Sequence, residues 1–224
     1  MKTLFIAVLC IVSLPAAAAD FDYSYLDLAY SKLSNDFVTS GGNGYQLDGS
    51  WGLGSSGFAL EAAYKHNQFG NRSFPGTTFK LQDVRFGAAY HASLSSNLDF
   101  VTHADYVSAK TTLDDALVTV HGSPYVIDQS DSGYLVGVGL RVRVLDALEL
   151  DAFVDHDDTG FNQHRLGNCG FGCGLVEERQ DDPETVLSLA ARYRFAGAFD
   201  VGFEYRHSSL LNGSERLASV RWNF

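Results

Sequence analysis

The chain has 224 residues, 46% hydrophobic and 19% charged, and carries a formal net charge of -11. Mean hydropathy is -0.05 with 22 Gly and 4 Pro, which excludes collagen-like and disordered classes and leaves one folded domain. The acid excess disfavours binding to nucleic acid, and no apolar run beyond the N-terminus is long enough for a membrane helix, so helical transporters are excluded.

Lys2 gives a positive start, Leu4 to Leu14 an apolar stretch, and Pro15 to Ala19 a small-residue tract. This is the pattern of an export signal cleaved after Ala17-x-Ala19, so residues 1–19 are expected to be removed and 20–224 to form the domain. Leu9 before Cys10 is too bulky for a lipid-attachment site. After cleavage only Cys169 and Cys173 remain. Two cysteines four positions apart in an exported chain predict a local disulfide. Zinc would want more ligands than this pair and His164 supply, and no metal is expected.

From Phe21 onward the dominant pattern is apolar–polar alternation, the period of a strand. Ten segments carry it: roughly 21–32, 44–53, 57–66, 78–91, 98–107, 132–144, 148–157, 185–195, 199–207 and 215–224. Their connections alternate between short ones, as at Gly54-Ser55-Ser56 and Ala196-Gly197-Ala198, and long polar ones at 33–43, 67–77, 108–131 and 158–184. Segment 78–91 departs from the pattern, because Phe79 and Leu81 share parity with Arg85. A bulge near Gln82, or a strand rising above the bilayer, would reconcile this.

Soluble sheets bury their apolar face, whereas membrane barrels turn it to lipid and fill the lumen with polar or small residues. Opposite the apolar rows lie Asp27, Asp48, Glu61, Asp83, Asp99, Asp105, Glu149, Asp151, Asp155, Asp200 and Glu204. With them lie Lys65, Arg85, Arg141, Arg143, Arg192, Arg194, Arg206 and Arg221, a near-balance that suits pairing inside a narrow barrel. The predicted network centres on Glu61, Arg85, Asp105, Arg141, Arg143, Asp151, Arg192, Arg194 and Glu204. Aromatics such as Tyr30, Tyr45, Trp51, Tyr106, Tyr134, Tyr193 and Trp222 fall near segment ends on the apolar face, where interfacial girdles belong. The expected fold is an all-β, antiparallel, up-and-down transmembrane barrel of about ten strands, with eight as the alternative.

With its ending Val220-Arg221-Trp222-Asn223-Phe224, the chain resembles bacterial outer-membrane β-barrel proteins of the small OmpA/OmpX-like group. The strings Gly44-Tyr45-Gln46-Leu47-Asp48-Gly49-Ser50 and Arg85-Phe86-Gly87-Ala88-Ala89-Tyr90 are similar to strands of that group. The resemblance implies an outer membrane of the Gram-negative type, with lipids and lipopolysaccharide around the barrel. It also implies that Val220, Trp222 and Phe224 act as the signal read by the barrel-assembly machinery. OmpA and OmpX types have eight strands, so the ten segments depart from the group.

Two polar groupings invite chemistry. Asp155-His156-Asp157-Asp158 lies where omptin-type proteases, also ten-stranded, keep carboxylate and His pairs at the external rim. His103-Ala104-Asp105 places a His and a carboxylate on one lumen-facing side, the pattern of a structural hydrogen bond. The leading expectation is a non-enzymatic scaffold whose external loops serve envelope integrity, adhesion or contact with an unidentified external ligand, without cofactor. A narrow porin-like channel for small solutes or ions is the alternative, and an omptin-like surface protease a lesser one.

Overall fold

Alternation puts every second side chain on one face and leaves both edges of a strand with unpaired amides and carbonyls, so each segment needs a partner on both sides. The computed structural model supplies those partners, and it describes residues 21–35, 41–70, 77–120, 123–159, 161–166, 175–180, 183–209 and 213–224. The strands are β1 (Tyr25–Asn35), β2 (Gly42–Gly52), β3 (Phe58–Gly70), β4 (Thr77–Ser95), β5 (Leu98–Val120), β6 (Ser123–Leu145), β7 (Leu148–Asp157), β8 (Phe161–Leu166), β9 (Leu175–Gln180), β10 (Glu184–Ala196), β11 (Phe199–Ser208) and β12 (Gly213–Asn223). Ten form a closed ring in the order β1-β12-β11-β10-β7-β6-β5-β4-β3-β2, while β8 and β9 pair as a separate hairpin. Every neighbouring pair is antiparallel, and β1 meets β12 in unbroken register from Tyr25↔Asn223 to Asn35↔Gly213. Ten barrel strands replace the alternative of eight.

Turn chemistry is concentrated at one end. Three tight hairpins each carry a register shift beside the turn, at Ser93/Ser95, Arg143/Leu145 and Arg194/Ala196. Such bulges add twist where the ring must curve. Gly197, with φ of 53°, takes the left-handed position that the β10–β11 turn requires. Each returning strand then opens on an apolar residue followed by an acid: Leu98-Asp99, Leu148-Glu149 and Phe199-Asp200. By the parity of the strand those acids point inward.

The two faces are inverted relative to a soluble protein. Val136, Val138, Leu140, Leu189, Val201 and Val220 are exposed on the outer wall, with Phe86 as much as 67% exposed. Buried instead are Asp27, Gln46, Asn67, Asp99, Arg141, Asp151, Asp200, Glu215 and Arg221. Trp51, Phe58, Tyr193, Phe195, Phe199, Trp222 and Phe224 stand outward near the tight turns, and Tyr30, Tyr45, Tyr106 and Tyr134 stand outward nearer the opposite end. An outer apolar wall bounded by two aromatic belts is the surface a bilayer demands.

Several expectations need correction. The expected loop 108–131 is largely sheet, since β5 runs to Val120 and pairs with β6 from Ser123. Backbone pairing continues above the apolar wall without an apolar row to announce it, carried by Thr- and Val-rich sequence. The expected loop 158–184 contains the β8–β9 hairpin. No bulge interrupts β4 at Gln82, where pairing with β3 and β5 is continuous, so the strand simply rises beyond the wall. Residues 21–24, read as the start of the first strand, precede β1 and lie outside the sheet. Residues 1–19 and the pair Cys169 and Cys173 fall outside the described residues.

Val138 sits on the outer wall four positions from Tyr134, well inside the band. Val138→Arg is expected to destabilise the folded barrel by about 2–4 kcal/mol, whereas Ser96→Arg in a tight turn is expected to change stability by less than about 0.5 kcal/mol. Urea unfolding in phospholipid vesicles measures both, and equal effects would overturn the facing.

Candidate functional site

Closing ten strands leaves a lumen too narrow for free solvation of the long side chains that point into it, so each inward charge needs a partner close by. A cavity of about 380 Å³ remains along the axis. At its tight-turn end Arg143 donates to Glu149 at 3.4 Å, and Arg194 donates to Asp200 at 3.1 Å. Asn223 joins this layer by donating to Asp200 at 2.7 Å.

A second layer holds the most buried charges. Arg141 Nε donates to Asp151 at 3.1 Å, and Arg192 donates to the other oxygen of the same carboxylate. Across the lumen Arg221 donates to Asp27 at 3.0 Å, with Arg192 Nε 4.0 Å from that carboxylate. Asp27, Asp151, Arg192 and Arg221 thus join β1, β7, β10 and β12. Nearer the open end Arg206 donates to Glu204 at 2.6 Å and to Gln46 at 3.1 Å, while Lys65 donates to Glu215 at 2.6 Å. Arg85 lies between Asp48 at 3.6 Å and Asp83 at 3.7 Å. Charged hydrogen bonds of this kind hold strands that are distant in sequence at a defined spacing.

On another part of the wall, His103 Nδ1 is 3.0 Å from Asp105 and Nε2 is 2.9 Å from Asp155. The Asp155-His156 pairing weighed in the sequence does not form. Consecutive strand residues face opposite ways, so His156 is exposed on the outer face while Asp155 lines the cavity. The imidazole that meets Asp155 comes from β5 instead. Glu61 lines the same cavity from β3.

The chain enters the ring through a segment that sequence reasoning misplaced. Phe21 is buried, 7% exposed. Tyr23 donates its hydroxyl to Asp99 at 2.6 Å and stacks on His91 with ring centroids 3.6 Å apart. The guanidinium of Arg141 stands 5.0 Å from the Tyr23 ring centre, and that of Arg143 4.5 Å from the Phe21 ring centre. Asp22 pairs with Arg194 at 2.8 Å. In the ring order β6, which carries both Arg141 and Arg143, is five strands from β1 in either direction. A segment continuous with β1 that reaches β6 therefore crosses the whole mouth. The alternation of Phe21 and Tyr23 mimics a strand, and only the ring order reveals the strap.

At the C-terminus, Val220, Trp222 and Phe224 all face outward. The Phe224 ring packs 5.1 Å from Trp222 and 5.6 Å from Trp51. Glu215, absent from the predicted network, is buried between Lys65 and Arg206.

No protein-family model matches the chain, and no curated protein matches it. Among solved structures it is similar to Neisserial surface protein A, at 18% identity over 89% of this chain and 95% of that one, with a TM-score of 0.41. It is also similar to the translocator domain of the autotransporter NalP from Neisseria meningitidis, at 9% identity over 100% and 96%, with a TM-score of 0.49. The NanC porin shares 11% identity over 89% and 100%, with a TM-score of 0.46.

Arg192→Leu removes a partner from both Asp27 and Asp151. It is expected to cost about 3 kcal/mol, the lower end for a broken buried pair because each carboxylate keeps a second arginine. The temperature at which the folded band shifts on an unboiled gel should fall more for Arg192→Leu than for Asp146→Asn in an exposed turn. A closed antiparallel ring of ten strands with an outward apolar wall, aromatic belts and an ionic lumen is the build of a transmembrane β-barrel.

Proposed function

We infer that the protein is a non-enzymatic outer-membrane scaffold, closed to steady ion flow, that presents its β5–β6 extension and β8–β9 hairpin to the exterior. The observation that carries this reading is the strap: Phe21 and Tyr23 cross from β1 to β6 over the mouth of the lumen and are fastened by Asp99, Arg141 and Arg143. Aromatic rings under guanidinium groups add about 0.5–2 kcal/mol each when partly desolvated. Beyond the strap, Arg192 on β10 pairs with Asp151 on β7 and reaches to 4.0 Å from Asp27 on β1, three strands away in the ring. Both features narrow the route that a porin-like channel would need.

The other end is built for contact. β5 continues past Tyr106 to Val120 and β6 begins at Ser123, well before Tyr134, roughly 45 Å and 35 Å of strand at the usual rise per residue, far more than a turn needs. Asp114-Asp115 falls in this extension, and Glu177-Glu178 in β9. Envelope integrity or adhesion through these elements fits a rigid barrel carrying a paired projection. In this reading the chain is exported through residues 1–19 to an outer membrane of the Gram-negative type. There lipids and lipopolysaccharide surround the barrel, and Val220, Trp222 and Phe224 present the assembly signal to the barrel-assembly machinery.

Planar-bilayer recording tests the reading. The wild-type barrel is expected to show no steady conductance, and the double variant Phe21→Ala, Tyr23→Ala is expected to raise the frequency of open events at least tenfold. Steady wild-type channels whose ion selectivity changes in Arg141→Ala would replace the scaffold with a pore. Replacing residues 111–128 by a short turn should leave the folded gel band intact while abolishing surface attachment conferred by the wild-type chain.

A further inference from the structure

We propose that Glu61, His103 and Asp105 form a binding site in the lumen for one divalent transition-metal cation of the Zn²⁺ class. One imidazole nitrogen and one carboxylate oxygen from each acid lie within 4.8 Å of one another. Bonds to such a cation of about 2.0–2.2 Å need only a small inward turn of these side chains. A nitrogen with two carboxylates is a borderline donor set, suited to Zn²⁺ rather than to an oxygen-only ion such as Ca²⁺.

The second coordination layer is already in place. Asp155 is 2.9 Å from Nε2, which fixes the ring and leaves Nδ1 directed at Asp105. A carboxylate on the far nitrogen is the usual support of a metal-bound histidine. Without a cation, a proton on Nδ1 bridges to Asp105 Oδ2; the cation takes the place of that proton.

Asp105 points to a missing partner. The residue is 7% exposed, and its Oδ1 has no hydrogen-bond partner. That oxygen occupies the space a Cβ on Gly87 would fill. Gly87 lies between the two acids in the sheet, opposite Glu61 on β3 and opposite Asp105 on β5. Any larger residue there would close the gap between the carboxylates. Gly137 makes the corresponding room under His103 Nε2 and Asp155 Oδ1. Asp27 Oδ1 and Asp83 Oδ1, also without a partner, belong to carboxylates that already face an arginine, and Asp99 Oδ1 to one that holds the Tyr23 hydroxyl.

Charge gives the same direction. Arg85 is shared by Asp48 and Asp83, and Arg141 is held by Asp151. Among the described residues, the ion-pair contact of Asp105 and Asp155 is with His103, while Arg85 and Arg141 act on Glu61 only from farther off, so a single imidazolium faces three carboxylates. Buried negative charge without a counter-ion is costly, and a divalent cation neutralises it. The cluster lines the axial cavity, which gives the ion space to enter.

The test uses the whole chain folded in detergent and stripped with a chelator, titrated with Zn²⁺ by calorimetry. Glu61→Gln is the decisive variant, since among the described residues Glu61 makes no hydrogen bond whose loss could unfold the barrel. The expected result is a wild-type site that Glu61→Gln and His103→Gln each weaken at least tenfold and that Glu184→Gln leaves unchanged. Zn²⁺ should also raise the unfolding temperature of the wild type and not that of Glu61→Gln, because a ligand held only by the folded state stabilises it. A wild type that takes up no Zn²⁺, or a Glu61→Gln variant that titrates like it, overturns the proposal. If His103→Gln does not fold, Glu61→Gln decides alone.

Discussion

In hydrocarbon an unpaired backbone amide or carbonyl has nothing to bond to, so a sheet that crosses a bilayer must close on itself. The pairing of β1 with β12 is that closure, and the rest of the structure depends on it. Once the ring is shut, every strand sends half its side chains to lipid and half into an enclosed space. The outer half can be apolar at no cost. The inner half cannot be uniformly apolar without collapsing the lumen or uniformly charged without repulsion. Opposite charges in contact solve both problems, and the solution is geometric. Asp27, on the first strand, meets Arg221 on the last and lies near Arg192 on β10. The ionic layer therefore reinforces the seam where the chain's two ends meet.

The same enclosure explains why the N-terminal residues leave the sheet. Between Tyr25 and the start of the described chain there is no strand partner left to add, since β1 is already flanked by β2 and β12. Ser50 Oγ donates to the Tyr23 carbonyl at 2.9 Å, and the amide of Gly52 donates to Ser24 Oγ at 3.1 Å. These bonds turn the chain at the edge of the ring. From there Tyr23 and Phe21 find aromatic and guanidinium surfaces that the wall has left uncovered on β4, β5 and β6. A few residues thus form a strap across the ring.

What could be read from sequence is what is local. A period of two is visible in any window, so the ten barrel strands, their facing and the aromatic belts follow from counting. Partner choice is not local. Asp155 is followed by His156, yet the pleat turns those two residues apart and brings in His103 from a strand two places away in the ring. Glu215 escaped notice because its partners Lys65 and Arg206 belong to β3 and β11, and only the ring order brings β3 near β12. The upper halves of β5 and β6 were hidden for a different reason. Outside the bilayer neither face has to be apolar, so the sheet continues with no alternation to betray it. Phe21 and Tyr23 erred the other way, alternating like a strand in a segment that forms none.

The strap and the His103 cluster sit in different parts of the lumen, but one distribution of charge connects them. Fastening the strap uses guanidinium faces, and those same groups keep their own carboxylates: Arg141 holds Asp151 while it stands over Tyr23, and Arg143 holds Glu149 while it stands over Phe21. Arg194 is divided between Asp200 and Asp22 in the same layer. Arginines committed in this way make no ion pair with Glu61 or Asp105 among the described residues, and Arg85, on the strand between those acids, lies beside Asp48 and Asp83. The arginines that fasten the strap therefore leave Glu61 and Asp105 without a guanidinium in direct contact among the described residues. The cluster lies beside Gly87 and Gly137, where two absent side chains leave room. Space and charge thus coincide at one place on the wall, beside the strand that also carries the arginines under the strap.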